Sequence, residues 1–322
     1  MAKLLKSCRG FSAGVIFFSA TMFMCQVSTA QQPVNGSQLN EVRAAFRSAN
    51  YQDALNRINA IIAKRSNDAD AMCLKGEIQA RMNDASAALE SFEKAAKIKK
   101  AGVRAAVGRA YALGSLKKDK ESTALMREAI SMQASSAADF LARGMAFHYL
   151  GQDDKAQADY NEALKLDPSF PEAYLNKGIS VSDKRDPGEA IALFATAIKL
   201  DPSYADAFIN RGALYSKKGD TEHAIADYSR VIEINPNDAM TLYNRGVIYV
   251  KKRMSDKAIA DFSAAIKVQP VFAEAYLNRA VAYTLINKNA LAKKDFEIAV
   301  EQDPTGPAGQ KGMQGLQMLK NF

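Results

Sequence analysis

The chain repeats itself with a period of 34 residues, and this period constrains its fold more than any other feature. Eight copies run without insertion or deletion over residues 35–306. They begin at Asn35, Ala69, Val103, Ala137, Pro171, Ala205, Ala239 and Ala273. A fixed period of this size is typical of a repeat array, in which each copy packs on its neighbours. Such arrays present an extended binding surface, so the period favours binding over catalysis.

Small and large residues recur within each copy in the pattern of two packed helices. In the copy at residues 205–238, Phe208, Gly212 and Tyr215 are spaced to lie on one face of a helix. Counted from 1 in each copy, positions 8 and 20 are mostly Gly or Ala, and position 24 is large and apolar. A residue such as Gly212 lets two helices approach closely, while Tyr228 at position 24 fills the space beside that contact. One helix pair cannot bury its apolar face alone, so stacked pairs are predicted.

This pattern resembles the tetratricopeptide repeat. The shared features are a large residue at position 4, Gly or Ala at 8, Tyr at 11, Ala at 20 and 27, an aromatic at 24 and Pro at 32. The resemblance covers residues 35–306 and is stronger from residue 137 onward. It implies an all-α fold, a right-handed superhelical α-solenoid of eight helix-turn-helix repeats whose first helices line an inner groove. It also implies a module that binds a protein or peptide partner, without naming that partner.

The residues after the last copy are predicted to close the array. Residues 307–322 have the pattern of a capping helix. We expect Met313, Leu316, Met318 and Leu319 to cover the open apolar face of the last repeat.

Residues 1–30 have the pattern of a secretory signal peptide. A basic start is formed by Lys3, Lys6 and Arg9. Residues 11–27 are largely apolar, and small residues at 28–30 precede Gln31. The apolar run is shorter than the ~20 residues that a membrane span needs. We therefore predict cleavage before Gln31 and no transmembrane anchor in the mature chain.

Export places the predicted mature protein outside the cytoplasm, and the periplasm of a bacterium fits best. Residues 31–34 form a short lead-in to the repeats. A secreted form, a lipid anchor at Cys25 and an uncleaved anchor stay open as alternatives.

Positive charge is concentrated in one part of the chain. The formal net charge is +8, and residues 94–127 contain ten basic and two acidic residues. The candidate basic patch consists of Lys97, Lys99, Lys100, Arg104, Arg109, Lys117, Lys118 and Lys120. One interpretation is a set of solvated helix faces. The other is contact with an anionic envelope component, either a polymer or lipid head groups. Export and the presence of one aromatic residue, Tyr111, in this segment argue against nucleic acid.

A strip of asparagine and apolar residues is the candidate peptide groove. In the resembled family, positions 5 and 6 of each repeat face the groove. Here they hold Leu175 and Asn176, Ile209 and Asn210, Tyr243 and Asn244, and Leu277 and Asn278. An Asn amide can both donate to and accept from a peptide backbone. The alternative is that these amides bond locally and were inherited by repeat duplication. The family's carboxylate clamp needs Lys at position 5, so its chaperone-tail ligands are not predicted.

Two further charged positions vary together. Position 7 is Arg143, Arg211, Arg245 and Arg279, and position 23 is Asp159, Asp227, Asp261 and Asp295. In the copy where position 7 is Lys177, position 23 is Leu193. This covariation predicts a bidentate pair that joins the two helices of a repeat. An arginine ladder in the groove is the alternative.

Groups that carry catalysis are sparse. The two histidines, His148 and His223, are far apart in the sequence, and no Cys/His cluster has metal-ligand spacing. Cleavage of the signal peptide would leave Cys73 alone, so no internal disulfide is expected. There is no phosphate-binding Gly-rich loop and no nucleophile–base constellation. We predict that the chain is not an enzyme and uses no cofactor or metal.

Overall fold

The computed structural model describes residues 36–98, 102–183 and 186–320. The predicted signal peptide and lead-in lie outside the described residues, as do Lys99 and Lys100. Within the described ranges all regular structure is helical. The helices are α1 (Gly36–Arg47), α2 (Tyr51–Lys64), α3 (Ala69–Arg81), α4 (Ala85–Ala96), α5 (Gly102–Ser115), α6 (Asp119–Ala129), α7 (Ala137–Tyr149), α8 (Asp153–Leu166), α9 (Pro171–Asp183), α10 (Pro187–Leu200), α11 (Ala205–Lys218), α12 (Thr221–Ile234), α13 (Ala239–Lys251), α14 (Ser255–Val268), α15 (Ala273–Leu285), α16 (Asn289–Gln302) and α17 (Pro307–Leu319).

Each copy of the repeat holds two helices, and α17 follows the last copy. The two helices of a copy pack on each other, as α7 does on α8 and α15 on α16. The second helix then packs on the first helix of the next copy, as α14 does on α15. The predicted all-α solenoid of eight helix pairs with a closing helix is therefore confirmed for the described residues.

The turn between the two helices of a copy has a common backbone conformation. Position 15 has a positive φ in each of the seven copies where it is described: Ala49, Asn83, Lys117, Gly151, Gly219, Arg253 and Asn287. A left-handed residue ends a helix by turning the chain away from its axis. The next residue often starts the second helix, since the Asp84 and Asp220 side chains accept hydrogen bonds from backbone N–H groups of α4 and α12. These short turns make the paired helices antiparallel.

The core of each copy is built around the large residue at position 24. Phe262 is fully buried, and a Cβ atom added at Gly246 would lie 2.7 Å from its Cε1 atom. A Cβ atom added at Gly144 would lie 2.6 Å from the Cε1 atom of Tyr160. A methyl group at Gly144 or Gly246 would therefore overlap with the ring unless the ring or the helix shifted. The interpretation of the small residues as close-approach points is confirmed.

The predicted pairs between positions 7 and 23 are present in all four copies that carry Arg and Asp. The guanidinium of Arg245 donates to both carboxylate oxygens of Asp261, each at 2.8 Å. The other pairs are Arg143–Asp159, Arg211–Asp227 and Arg279–Asp295. The third nitrogen of Arg245 donates to the Ser229 hydroxyl of the preceding second helix at 2.9 Å. These arginines thus fix helix register and do not form a free ladder.

Helix α17 closes the array differently from the prediction. Met313 is 46% exposed and does not cover the last repeat, while Leu316 and Leu319 are only partly buried against the core. The buried face of α17 consists of Ala308, Gly309, Gly312 and Gly315. A Cβ atom at Gly315 would lie 2.6 Å from the Phe296 ring. The closing helix approaches so closely that glycine, rather than large apolar residues, forms its contact face.

The described chain divides into two compact units. The first unit contains residues 36–210, and the second contains residues 211–320. The boundary falls within α11. One buried cluster of the first unit extends from Leu39 to Ala173, and a cluster of the second extends from Val250 to Ala308.

Candidate functional site

The second unit presents a strip of partly exposed side chains along one face of α13. Tyr243, Asn244 and Val247 are half-buried, and Lys251 at the end of the strip is exposed. Steps of three and four residues along the strip keep these side chains on the same side of the helix. The strip therefore combines an aromatic ring, an amide, an aliphatic side chain and a charge. Groups of these kinds can form apolar contacts and hydrogen bonds with an extended chain.

Tyr243 is held in place by its neighbours. Its ring centroid lies 5.0 Å from that of Phe272 and 5.8 Å from that of Phe262. Its hydroxyl oxygen accepts a hydrogen bond of 3.0 Å from the amide of Asn278 on α15. A fixed ring loses little conformational entropy when a ligand packs on it.

The asparagines at position 6 differ in what they bond. The amide nitrogens of three donate to the carbonyl four residues earlier: Asn176 to Glu172, Asn210 to Asp206 and Asn278 to Glu274, at 2.8 to 2.9 Å. The local interpretation thus has support for these three amides. Asn244 is partly exposed, and its side-chain amide has no hydrogen-bond partner within the described part of the chain. Its amide is therefore the one whose donors and acceptor remain for a ligand.

Burial divides the eight groove candidates into two groups. Leu175, Asn176, Leu277 and Asn278 are buried. Ile209, Asn210, Tyr243 and Asn244 are partly exposed, the first two in the first unit and the last two in the second. A peptide could reach only the partly exposed group in this conformation.

The candidate basic patch is not one surface. Lys97 is exposed just after α4, whereas Lys117, Lys118 and Lys120 are exposed around the turn between α5 and α6. The 14 residues of α5 separate these ends by roughly 20 Å. Arg109, on α5, is partly buried.

Arg104 does not belong to the exposed basic surface that the sequence predicts. Its side chain is 6% exposed and forms ion pairs with Asp70 and Asp139. Its charge is thus neutralised inside the first unit.

In the first unit, ion pairs connect the first helices of distant copies. They join α1 to α9 and α3 to α11 on the side that we call the inner surface. Arg47, at the end of α1, donates to Glu172 on α9 at 3.1 Å and pairs with Asp201. Arg81, at the end of α3, donates to both oxygens of Asp206 on α11, at 2.8 and 3.0 Å. Each bridge to Glu172 or Asp206 spans 125 residues of chain. Burial alone would lower the pKa of Arg47, but Glu172 and Asp201 raise it above its ordinary value.

Two buried charged side chains of the first unit, Glu77 and Arg43, have polar atoms without a hydrogen-bond partner. Glu77 is 1% exposed, and neither of its carboxylate oxygens has a hydrogen-bond partner. Burial raises the pKa of Glu77 well above its ordinary value, although the positive charge of Arg43 opposes this shift. Arg43 is also buried, with Nε and Nη2 unpartnered. Such groups are costly unless water or another partner reaches them.

A metal-binding cluster and an exposed cysteine are both absent from the described residues. They contain no group of His, Cys, Asp and Glu side chains that could hold a metal ion. Cys73 is buried, and burial raises the pKa of its thiol well above its ordinary value, which disfavours the reactive thiolate. No helix within the described ranges is long and apolar enough to cross a membrane.

Sequence reasoning missed Arg47 and Arg81, whose ion pairs cross the inner surface of the first unit. Both occupy position 13 of their copies, one of the groove positions of the resembled family, and no later copy has Arg there. That charge pattern was the available signal. Its partners could not be assigned, because they lie about four copies away along the chain.

The stacked helix pairs define an α-solenoid, a class of repeat fold that presents an extended surface. Comparison with known families matches the description "Tetratricopeptide repeat" over residues 39–103, 205–238, 228–260 and 273–305. "TPR repeat" matches residues 144–182 and 188–219. The chain belongs to the tetratricopeptide-repeat family. Members of this family are generally non-catalytic scaffolds for protein–protein interaction.

Two of the similar solved structures, Cut9–Hcn1 and the Cytophaga hutchinsonii protein, support the α-solenoid fold. The APC/C hetero-tetramer Cut9–Hcn1 has a TM-score of 0.70 at 16% identity, over 89% of this chain and 56% of that chain. The C-terminal part of a TPR repeat-containing protein from Cytophaga hutchinsonii has a TM-score of 0.50 at 17% identity. The match covers 86% of this chain and 98% of that chain. MamA is 27% identical over 52% of this chain and 92% of its own, with a TM-score of 0.49. A search of curated proteins finds no match.

Proposed function

We propose that the chain is an exported, non-catalytic adaptor that binds an extended segment of a partner protein on the α13 strip. The observation that carries this proposal is the combination of a fixed Tyr243 ring with the unpartnered amide of Asn244. A peptide backbone amide can pair with Asn244 while a neighbouring side chain packs on Tyr243.

The expected affinity is modest. Burying two or three apolar side chains of a partner gains about 1.5–3 kcal/mol from each. Ordering of the segment and loss of translational freedom offset much of that gain. A dissociation constant in the micromolar range, about −8 kcal/mol, is therefore expected.

Export is supported by residues 1–30, whose basic start, apolar run and small residues before Gln31 form a signal-peptide pattern. We infer a periplasmic location for the mature chain. Partners would then be envelope proteins, held in position by the adaptor.

The proposal is tested by isolating a partner with the mature chain, residues 31–322, from the envelope fraction of its own organism. Limited proteolysis of the complex should leave one protected partner segment, identified by mass spectrometry. A synthetic peptide of that segment should bind with micromolar affinity and displace the whole partner. A partner that binds only as a folded domain, with no peptide able to compete, would contradict this mode of binding.

A second function rests on the exposed lysines at the α5–α6 turn. Lys117, Lys118 and Lys120 could recruit an anionic polymer or anionic lipid head groups. This function predicts retention on anionic vesicles that added salt abolishes. A Lys117→Gln/Lys118→Gln/Lys120→Gln variant should lose that retention, while binding of the partner peptide stays unchanged.

A further inference from the structure

Charged side chains on the inner surface of the first unit are buried. Arg43 and Glu77 both hold position 9 of their copies, and Glu172 holds position 2 of the fifth copy. Val247, at position 9 in the second unit, is partly exposed. Charged groups are rarely buried unless another part of the chain covers and pairs them. The inner surface of the first unit is therefore covered by the chain itself.

Two ion-pair bridges hold this cover in place. Arg47, at the end of α1, donates to Glu172 on α9 at 3.1 Å and pairs with Asp201. Arg81, at the end of α3, donates to both oxygens of Asp206 on α11. Both arginines hold position 13 of their copies, and both bridges span 125 residues of chain. The repeated offset makes the bridges adjacent links of one contact, and we call these five residues the clasp.

Glu77 makes closure of the clasp costly. Neither of its carboxylate oxygens has a hydrogen-bond partner within the described part of the chain. The titratable and charged groups that act on this carboxyl are Arg43 from α1, Glu172 from α9, and Asp70 and Cys73 from its own helix α3. Because groups from α1 and α9 both act on Glu77, its carboxyl lies near both sides of the clasp. An ionised carboxylate in such a place is more costly to bury than a protonated one.

The clasp is therefore poorly suited to permanent closure. Partly buried ion pairs add little net stability, because desolvation offsets much of their attraction. Opening would hydrate Glu77 and Arg43, whereas closing favours the protonated form of Glu77. Burial raises the pKa of Glu77 well above its ordinary value, although Arg43 opposes the shift. The closed form is thus favoured at low pH and loses this advantage as pH rises.

We propose that the clasp is a pH-sensitive closure of the inner surface of residues 36–210, closed at acidic pH and opened when Glu77 loses its proton. Opening frees the side of α9 that carries Glu172 and Asn176, which are one helical turn apart and buried in this structure. The clasp shares no residue with the α13 strip. Its failure would therefore leave the function proposed for that strip untouched.

The test measures the separation across the clasp in the mature chain, residues 31–322, at pH 5 and pH 8. Nitroxide labels are placed on Asn50→Cys and Lys199→Cys, two exposed positions near Arg47 and Asp201 in the chain, and Cys73→Ala removes the native thiol. Electron paramagnetic resonance should show one short separation at pH 5 and an additional, longer one at pH 8. A single carboxyl that ionises only in the open form changes the ratio of open to closed molecules by up to about tenfold per pH unit.

Variants assign this response to the clasp. Glu77→Gln should keep the short separation at both pH values, because Gln cannot ionise. Arg47→Gln/Arg81→Gln should show the longer separation even at pH 5, and Arg81→Gln alone replaces this variant if it does not fold. The matched control Glu93→Gln, at an exposed position on α4, should respond to pH as the wild type does.

Two results would overturn the proposal, with the fold confirmed by circular dichroism at both pH values. One is a separation in the wild type that is the same at pH 5 and pH 8. The other is a pH-dependent change that persists in Glu77→Gln.

Discussion

Arg81 and Asp206 are joined by two hydrogen bonds, of 2.8 and 3.0 Å, although 125 residues of chain lie between them. The pair connects the second copy of the repeat to the sixth. An array in which each copy touched only its neighbours would contain no such contact. The first unit is therefore stabilised by a long-range contact in addition to the stacking of successive helix pairs.

Replacing both members of this pair should lower the free energy of unfolding by less than the sum of the two single replacements. Arg81→Leu leaves Asp206 without its arginine, and Asp206→Leu leaves the Arg81 guanidinium with the Tyr51 hydroxyl but without a carboxylate. For this pair, with side chains 20% and 14% exposed, we expect a coupling free energy of about 1–2 kcal/mol. Urea unfolding of the wild type, the two single variants and the double variant measures this coupling free energy. Hydrogen exchange of the α3 amides provides a second, local measurement. Additive effects of the two replacements would mean that the bridge contributes nothing.

Glu77→Gln should stabilise the first unit, and more so at higher pH. Because the folded-state pKa of Glu77 lies above its unfolded value, its contribution to stability is fully present below the unfolded pKa and is lost as pH rises through the folded pKa. Gln cannot ionise, so it removes this part of the pH dependence. We expect a gain of about 1–3 kcal/mol near neutral pH.

Denaturant unfolding at pH 5 and pH 8 checks this expectation for Glu77. Glu172 also has a pKa raised by burial, but Arg47 binds it, so Glu172→Gln should destabilise the unit by removing that partner. Equal gains from Glu77→Gln at both pH values would show that Glu77 does not titrate differently in the folded state.

Gly246→Ala should destabilise the second unit, whereas Gly212→Ala should be nearly neutral. Alanine favours a helix over glycine by about 1 kcal/mol at both positions. At Gly246 the new methyl group would lie 2.7 Å from the buried Phe262 ring, and this overpacking costs about 1–3 kcal/mol. At Gly212 the nearest ring atom, of Tyr228, is 3.1 Å away and needs only a small shift. Thermal unfolding compares the two, and equal effects would contradict the close-approach interpretation.

The features predictable from sequence are those whose partners lie within one copy. Gly246 and Phe262 share a copy, as do Arg245 and Asp261, so a recurring pattern predicts their contact. The Arg81–Asp206 pair depends on small rotations accumulated over four copies, which a sequence does not give. The closing helix shows a different limit. Met313 is apolar and the sequence predicts it inside, but glycines let α17 approach so closely that the methionine remains outside.

The proposed export predicts the first residue of the cellular protein. Amino-terminal sequencing of the chain purified from its own organism should begin at or near Gln31, because small residues at 28–30 provide the cleavage signal. An intact Met1, or lipid attached at Cys25, would contradict a cleaved soluble form.

The affinity of the Asn244→Ala variant for the partner segment tests the proposed function most directly. Asn244 is partly exposed and its side-chain amide makes no hydrogen bond within the described residues, so its loss should leave folding unchanged. Loss of one hydrogen bond to a peptide backbone costs about 0.5–1.5 kcal/mol, so the dissociation constant should rise several-fold, up to about tenfold. The matched variant Asn161→Ala, at an exposed position on α8, should bind as the wild type does. Equal affinities of the wild type and both variants, with the fold confirmed by circular dichroism, would contradict binding at the α13 strip.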